Sequence, residues 1–165
     1  MTRLSRRALL AGAGATAASL AGCLGGGSAA AGTITLPAVD APGSPGGEVP
    51  VRPEGEPALL DFFATWCAPC KPQMESLGQV HDMNPDFHMI SITQESDRQA
   101  IKSFWADYEG RWPVAIDADL IATEKWGVQS IPTLIVVDPS GDEVWRHVGL
   151  ASRDAIASAV QEAQP

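Results

Sequence analysis

The sequence predicts one α/β domain built in three layers, and three observations support this. The chain has 165 residues, which leaves room for one sizeable core. An apolar run at residues 58–64 is typical of a strand buried on both faces. From that run onward, strand and helix patterns alternate and end in a hairpin and a helix, which is the element order of an α/β domain.

The N-terminal residues are predicted to be an export signal that lies outside this domain. Arg6 and Arg7 form a twin arginine ahead of an apolar stretch from Ala8 to Leu20. That stretch is shorter than the roughly 20 residues that a membrane-spanning helix needs. The pattern resembles a twin-arginine export signal covering residues 1–22. The alternative is a disordered Ala/Gly tail with a chance pair of arginines.

Cys23 is predicted to carry a lipid. The sequence Leu20–Cys23 resembles a lipoprotein processing site, with cleavage before the cysteine. An odd cysteine in an exported protein needs an explanation, and lipidation supplies one. Residues 23–32 then form the lipidated cysteine and a flexible, Gly-rich tether. An intermolecular disulfide at Cys23 is the alternative.

The acidity of the chain excludes one class of function. The chain carries 20 acidic and 11 basic residues, for a formal net charge of −9. Removing the signal takes away three arginines and no acidic residue, so eight basic residues remain and the net charge becomes −12. Such a chain lacks the clustered Lys and Arg of a nucleic-acid-binding surface. Acid-rich, lysine-poor chains with this leader resemble exported proteins of halophilic archaea.

The first predicted elements are short strands and a turn. Thr33–Leu36 alternates weakly and is predicted to be a strand, with Val49–Val51 returning as its hairpin partner. Between them, Pro42–Gly47 has the residues of a turn. The buried strand at 58–64 follows, and a single carboxylate, Asp61, interrupts it.

Two helices and a strand are predicted next. A helix that carries two cysteines runs to about Asp82, and His88–Ile92 forms the following strand. Ser96 and Gln99 make a capping-box signature for the second helix, which Gly110 ends. The apolar positions of this helix recur at helical spacing: Ile101, Phe104, Trp105 and Tyr108.

The C-terminal part is predicted to contain a short helix, a hairpin and a last helix. The short helix runs from about Leu120 to Gly127, a left-handed cap. Thr133–Val137 and Val144–Val148 pair as a hairpin around Asp138–Gly141, which has the residues of a type I turn. Ser152–Ala163 forms the last helix.

Cys67 and Cys70 are the candidate reactive residues. Two cysteines three apart on a helix share a face, so their sulfurs come within disulfide reach. At a helix N-terminus the first thiol is favoured as the thiolate, so Cys67 would attack and Cys70 would resolve the mixed disulfide. Pro69 fits the first helical turn, where its missing N–H costs nothing.

Two alternatives to redox chemistry are a zinc half-site and a structural disulfide. Zinc would need two more ligands, and His81, His88 and His147 have no metal-ligand spacing. A disulfide that closes so small a loop would constrain the unfolded chain little. We therefore expect no metal and no cofactor.

Two segments resemble those of a known family. Phe62–Lys71 resembles the active-site segment of thioredoxin-like proteins, specifically the secreted TlpA/ResA-type thiol–disulfide oxidoreductases. Gly127–Thr133 resembles the cis-proline segment of that family, and the likeness covers roughly residues 57–162. The resemblance implies a thioredoxin-like fold over residues 33–165, with a central mixed β-sheet flanked by helices and a short N-terminal β extension.

The resemblance also implies how substrates bind. Pro132 should follow a cis peptide bond and face the cysteines, although only about 5–6% of X–Pro bonds are cis. A cis turn would leave the backbone of Ile131 free to pair with an extended substrate. Trp66 is expected to lie beside the cysteines as a lid. A trans Pro132 that simply begins a strand is the alternative.

This sequence departs from the family at two positions and matches its relatives at a third. Glu75 stands where relatives have a helix-kinking proline, so Pro72 is expected to kink the helix instead. Gln73 stands where cytochrome-maturation members have a glutamate, which weakens that assignment. Asp61 matches the buried aspartate of thioredoxin, and we expect it to accept the proton of Cys70.

The sequence therefore predicts a monomeric oxidoreductase that exchanges electrons with protein thiols and disulfides. It would lie outside the cytoplasm, held to the outer face of the cell membrane through Cys23, with a membrane electron donor or acceptor as partner. Two alternatives are a copper(I) metallochaperone that uses both thiolates and a thiol peroxidase. The peroxidase pattern is incomplete, because Thr65 lies only two residues before Cys67.

Overall fold

The computed structural model describes residues 33–165, so the predicted signal at 1–22 and the tether with Cys23 lie outside it. None of the helices in that range combines the length and the apolar composition that a membrane span requires. The strands are β1 Thr35–Ala41, β2 Ser44–Pro50, β3 Ala58–Phe62, β4 His88–Thr93, β5 Val114–Ile116, β6 Thr133–Val137 and β7 Glu143–Val148. The helices are α1 Cys70–Met83, α2 Arg98–Asp107, α3 Ile121–Lys125 and α4 Arg153–Ala163.

The seven strands form one mixed sheet in the order β2-β1-β5-β4-β3-β6-β7. The central strands β3, β4 and β5 run parallel. The outer pairs, including β3 with β6 and β6 with β7, are antiparallel. The predicted mixed sheet is confirmed, and β3 lies in its interior, where both faces are covered.

Helices cover the two faces of the sheet unequally. Helices α1, α2 and α4 pack against one face of the sheet and form a single core with it, and this core also contains both cysteines. The other face packs against the short α3 and against Val49 and Val51, which flank the end of β2. Successive residues of a strand point to opposite faces. Asp61 therefore faces the α1 side, as do its neighbours Leu59 and Phe63.

The N-terminal hairpin differs from its prediction. Its strands are seven residues each, and only Pro42 and Gly43 form the turn between them. Ser44 was predicted to lie in a turn, but its hydroxyl accepts a hydrogen bond from the N–H of Val114 at 3.1 Å. Gly43 has φ +70, and a side chain there would overlap the backbone of Arg111. Pairing between β1 and β2 therefore extends these strands into residues whose composition predicted a turn.

Strand β5 was not predicted, and two helix ends differ from their predictions. The three residues of β5 are too few to show a period. Asp97, not Ser96, caps α2, because its carboxylate accepts the N–H groups of Gln99 and Ala100. At the other end of α2 the left-handed residue is Glu109, with φ 54. A side chain on Gly110 would strike the ring of Trp105, so that glycine serves close packing.

Candidate active site

The two cysteines lie between the end of β3 and the start of α1. They are joined by a disulfide with a Cα–Cα distance of 5.3 Å, so the structure describes the oxidised form. The N–H of Cys70 donates to the carbonyl of Cys67 at 3.2 Å, and the N–H of Cys67 donates to Ala64 at 3.1 Å. These two turns fix the backbone on both sides of Cys67.

The electrostatic surroundings of the pair favour a thiolate. Helix α1 begins at Cys70, with Pro69 in helical conformation just before it, so Cys67 lies just outside the helix N-terminus. The first turn holds no acidic residue, and Lys71 lies within it. The helix dipole stabilises a thiolate at this position, and no acidic residue of the first turn opposes it. Pro72 also lies in the first turn, where no intrahelical N–H bond is lost, and α1 continues as one helix to Met83.

The cis-proline loop approaches from β6. Ile131–Pro132 is a cis peptide bond, the geometry that the family resemblance implies. The carbonyl of Pro132 accepts the N–H of Gly149 at 2.8 Å, which ties the loop to the end of β7. Trp66 is 72% exposed, so it stands out from the surface beside Cys67 and does not pack down as a closed lid.

Asp61 lies near the end of β3 and is only 1% exposed. The hydroxyl of Ser91 donates to its Oδ2 at 2.6 Å, and its Oδ1 has no hydrogen-bond partner. Burial raises the pKa of Asp61 to about 7, and the Ser91 hydrogen bond opposes that rise. Asp61 can therefore gain or lose a proton near neutral pH.

Ser91 is itself held in place by Trp112. The indole N–H of Trp112 donates to the hydroxyl oxygen of Ser91 at 2.9 Å. Since that oxygen is occupied as an acceptor, the hydroxyl proton is directed towards Asp61. Ser91 lies directly opposite Asp61 in the parallel β3–β4 register. No ion pair within residues 33–165 includes Asp61, and its one hydrogen-bond donor there, the Ser91 hydroxyl, is neutral.

Gln73 links the cysteine helix to the loop after β7. It is 1% exposed, and its side-chain Oε1 accepts the N–H of Ala151 at 2.7 Å. Its Nε2 donates to the carbonyl of the same residue at 3.2 Å. A glutamate at this position could not donate to that carbonyl while ionised. The amide therefore has a positioning role here that the glutamate of some relatives could not fill in the same way.

Glu95 was not identified from the sequence. It follows β4, and its Oε2 accepts the backbone N–H of Thr65 at 2.7 Å, while its Oε1 accepts the Thr65 hydroxyl at 2.7 Å. Thr65 lies two residues before Cys67, so this carboxylate fixes the approach to the active-site turn. The signal available in the sequence was its place at the carboxyl end of a parallel strand, where sites of α/β sheets are built.

The three histidines lie apart. His81 is on α1, while His88 and His147 are on strands β4 and β7. The ring of His88 contacts the carbonyls of Pro50 and Val51, and burial lowers its pKa. Among residues 33–165 no group of three His, Cys, Asp or Glu side chains could hold a metal ion.

Comparison with known proteins identifies a family and several similar chains. The Redoxin family model matches residues 33–162. The thiol-disulfide oxidoreductase ResA of Bacillus cereus is 25% identical over 114 residues, which make up 68% of this chain and 66% of ResA. The matched segment thus spans slightly less than two thirds of that relative.

Solved structures show the same fold. A secreted Mycobacterium tuberculosis disulfide oxidoreductase homologous to E. coli DsbE is 24% identical, with a TM-score of 0.68 over 79% of this chain and 96% of that chain. An exposed lipoprotein thioredoxin of Streptococcus pneumoniae is 23% identical, with a TM-score of 0.65 over 79% of this chain and 99% of that chain. These likenesses confirm the thioredoxin-like fold that the active-site segments predict.

Proposed function

The chain belongs to the Redoxin family, and from this membership we propose that it is an enzyme that exchanges electrons between its Cys67–Cys70 pair and disulfides of other proteins. One observation carries the proposal: the disulfide lies at a helix N-terminus whose first turn is free of acidic residues. This surrounding stabilises the thiolate that thiol–disulfide exchange requires.

The reduced enzyme would act in two steps. The thiolate of Cys67 attacks one sulfur of a substrate disulfide, which forms a mixed disulfide and releases the first substrate thiolate to take up a proton. The thiolate of Cys70 then attacks the sulfur of Cys67, which restores the enzyme disulfide and releases the second substrate thiol. Two electrons pass to the substrate, and the reverse sequence oxidises a substrate dithiol.

Asp61 is proposed as the proton acceptor of the second step. Cys70 must lose its proton before it attacks, and it is only 2% exposed, so bulk water is a poor acceptor. Asp61 lies on the α1 face of β3, in the layer that contains both cysteines, and its pKa of about 7 suits proton uptake at neutral pH.

Substrate binding is proposed at the cis-proline loop. The cis bond before Pro132 would leave the backbone of Ile131 free, and Ile131 lines one cavity with Trp66, the neighbour of Cys67. An extended polypeptide would therefore pair with Ile131 as an added strand. Trp66, largely exposed beside Cys67, would then cover the bound segment. This arrangement suits unfolded or extended protein substrates better than small thiols.

Replacing each cysteine tests the proposal. Cys67→Ser should abolish disulfide reduction, because the attacking thiolate is lost. Cys70→Ser should instead accumulate mixed disulfides, because attack proceeds while resolution cannot. Non-reducing gels and mass spectrometry of each variant with a disulfide-containing protein would show the adducts. Adducts on Cys67→Ser but not on Cys70→Ser would reverse the assigned roles.

We further propose that the enzyme works outside the cytoplasm, on the outer face of the membrane, through lipidated Cys23. The leader sequence supports this, as do relatives described as secreted and as an exposed lipoprotein. Cys23→Ser should release the protein into the medium with the exchange rate of its soluble part unchanged, measured by membrane fractionation and insulin reduction. Stable anchoring by lipid alone takes two chains, so the modified Cys23 would need to carry more than one. Unchanged membrane association of Cys23→Ser would contradict the lipid anchor.

The direction of electron flow would follow from one measurement. Reduction potentials in this fold range from about −270 mV for a reductase to about −120 mV for an oxidant. Equilibration of the Cys67–Cys70 pair with glutathione buffers would give its value. A reduction potential near the reductase value would indicate a reductase supplied by a membrane electron donor. A potential near the oxidant value would indicate an oxidant that passes its electrons to a membrane acceptor.

A further inference from the structure

A cavity of about 330 Å³ adjoins the active-site turn and the cis-proline loop. Trp66, the neighbour of Cys67, and Ile131, the neighbour of Pro132, both line it. Most of its wall is apolar. Besides Trp66, the apolar lining residues are Phe62, Phe63, Ala64, Ile92, Val128 and Ile131. The cavity therefore has room for a long side chain whose stem is apolar.

One carboxylate, Glu95, lines this cavity. Its three hydrogen-bond donors are the N–H and hydroxyl of Thr65 and the hydroxyl of Thr93 at 3.2 Å. All three are neutral, so they orient the carboxylate without neutralising it. Oε1 accepts only one of these bonds and keeps room for another donor.

No cation of the described chain compensates Glu95. The cavity lining includes no Lys, Arg or His. None of the ion pairs formed within residues 33–165 includes Glu95. The cavity therefore combines an apolar wall, an exposed indole at Trp66 and an uncompensated negative charge.

We propose that this cavity is a subsite for a lysine or arginine side chain of the substrate polypeptide. This inference rests on the proposed function. The aliphatic stem would lie along the apolar wall, as such stems do, while the charged head donates to Glu95. The indole of Trp66 offers a face for a cation–π contact with the same head.

The charge of the whole chain and the position of the cavity agree with this occupant. Residues 33–165 carry 20 acidic and eight basic residues, so they attract cationic segments. A substrate strand that pairs with Ile131 sends successive side chains to opposite sides. Of two successive substrate residues close to the reacting cysteine, one would therefore direct its side chain towards the cavity.

A peptide series tests the subsite. Disulfide-linked peptides carrying lysine, norleucine or glutamate at each of the two positions before and after the cysteine are reduced by the enzyme. At one of these positions the lysine peptide should show about a fivefold higher kcat/KM than the norleucine peptide, and higher salt should shrink this ratio. A ratio near one at every position, or a preference for norleucine, would overturn the proposal.

Glu95→Gln isolates the charge. A glutamine can accept the N–H of Thr65 through Oε1 and donate to its hydroxyl oxygen through Nε2, so both contacts can persist. The lysine-to-norleucine ratio should fall to about one in this variant. Glu75→Gln is the matched control, because it removes an equal charge on α1 from a residue that does not line the cavity. A ratio that survives Glu95→Gln, or that falls equally with Glu75→Gln, would refute the assignment.

Binding of unreactive peptides separates this proposal from the proposed function. Peptides with S-methylated cysteine are titrated into the oxidised protein, and the amide resonances of Thr65 and Ile131 are followed by NMR. The lysine peptide should move them at lower concentration than the norleucine peptide. Equal responses would refute the subsite even if exchange is active, whereas a lysine preference in an inactive enzyme would overturn only the proposed function.

Discussion

Asp61 and Asp117 are two buried aspartates with opposite surroundings. Each is only 1% exposed. Asp117 accepts the N–H groups of Ala122 and Thr123 and the hydroxyl of Thr123, so it caps the start of α3. Asp61 accepts one hydroxyl and leaves an oxygen without a partner. A buried carboxylate whose two oxygens both accept hydrogen bonds stabilises the fold. A buried carboxylate with an unpartnered oxygen is less stable when ionised, so it binds a proton more readily.

The same substitution should therefore act in opposite directions at the two sites. The largest effect is expected for Asp61→Asn, which should stabilise the protein at neutral pH by up to about 4 kcal/mol. The raised pKa of Asp61 means that the folded state holds its proton more tightly, so wild-type stability falls as pH rises from 3.8 to about 7. The gain should be absent below pH 3.8 and level off above about 7, as measured by urea unfolding.

Asp61→Asn should also slow the second half of the exchange. Resolution of the mixed disulfide should fall at least about tenfold, because Cys70 loses its proton acceptor, while first attack by Cys67 changes little. Rapid-mixing measurements that follow the mixed disulfide would separate the two steps. Unchanged resolution together with unchanged stability at neutral pH would remove Asp61 from the mechanism.

An intermediate effect is expected for Asp117→Asn. The new amide would face the N–H groups of α3 with donors of its own, so the protein should lose about 2 kcal/mol of stability. Rates of exchange per folded molecule should stay as in the wild type. A gain in stability here would show that the two aspartates do not differ as described, and urea unfolding beside Asp61→Asn provides the direct comparison.

The smallest effect is expected for Ser91→Ala. The Ser91 hydroxyl lowers the pKa of Asp61, so its removal should move the pH dependence of resolution upward by at most about 1 pH unit. Trp112→Phe removes the donor to Ser91 together with part of a buried ring, leaves the Ser91 hydroxyl in place, and should move the pH dependence less. Resolution rates measured from pH 5 to pH 9 give both values. A downward movement in Ser91→Ala would mean that another group sets the proton affinity of Asp61.

Short sequence patterns predicted most of the strands and helices and part of the candidate active site. Asp61 could be predicted as a site residue because its carboxylate interrupts an apolar run, and the spacing of the two cysteines predicted the active-site turn. The register of β3 and β4, which brings Ser91 to Asp61, joins residues 30 apart and leaves no local signal. The bond between Glu95 and Thr65 spans the same separation, so it was equally hidden.

Misplaced elements share that physical cause. In the first hairpin, Pro42–Gly47 was predicted to be a turn because Gly and Pro dominate its composition, yet pairing between β1 and β2 makes residues 44–47 part of a regular ladder. Strand β5 is set by its parallel neighbour β4 and carries no period of its own in three residues. Pairing across the sheet therefore decided these segments where local propensity did not.

Because Gln73 binds Ala151, the backbone N–H of Ala151 reports on the motion of helix α1. The N–H of Ala151 is bound to a side chain of α1 that lies 78 residues earlier in the chain. It can exchange its hydrogen with solvent only when the first turns of α1 and the loop after β7 part. Its hydrogen-exchange rate therefore reports the mobility of the helix that begins at Cys70. Comparing that rate before and after reduction would show whether breaking the disulfide loosens the helix or leaves it rigid.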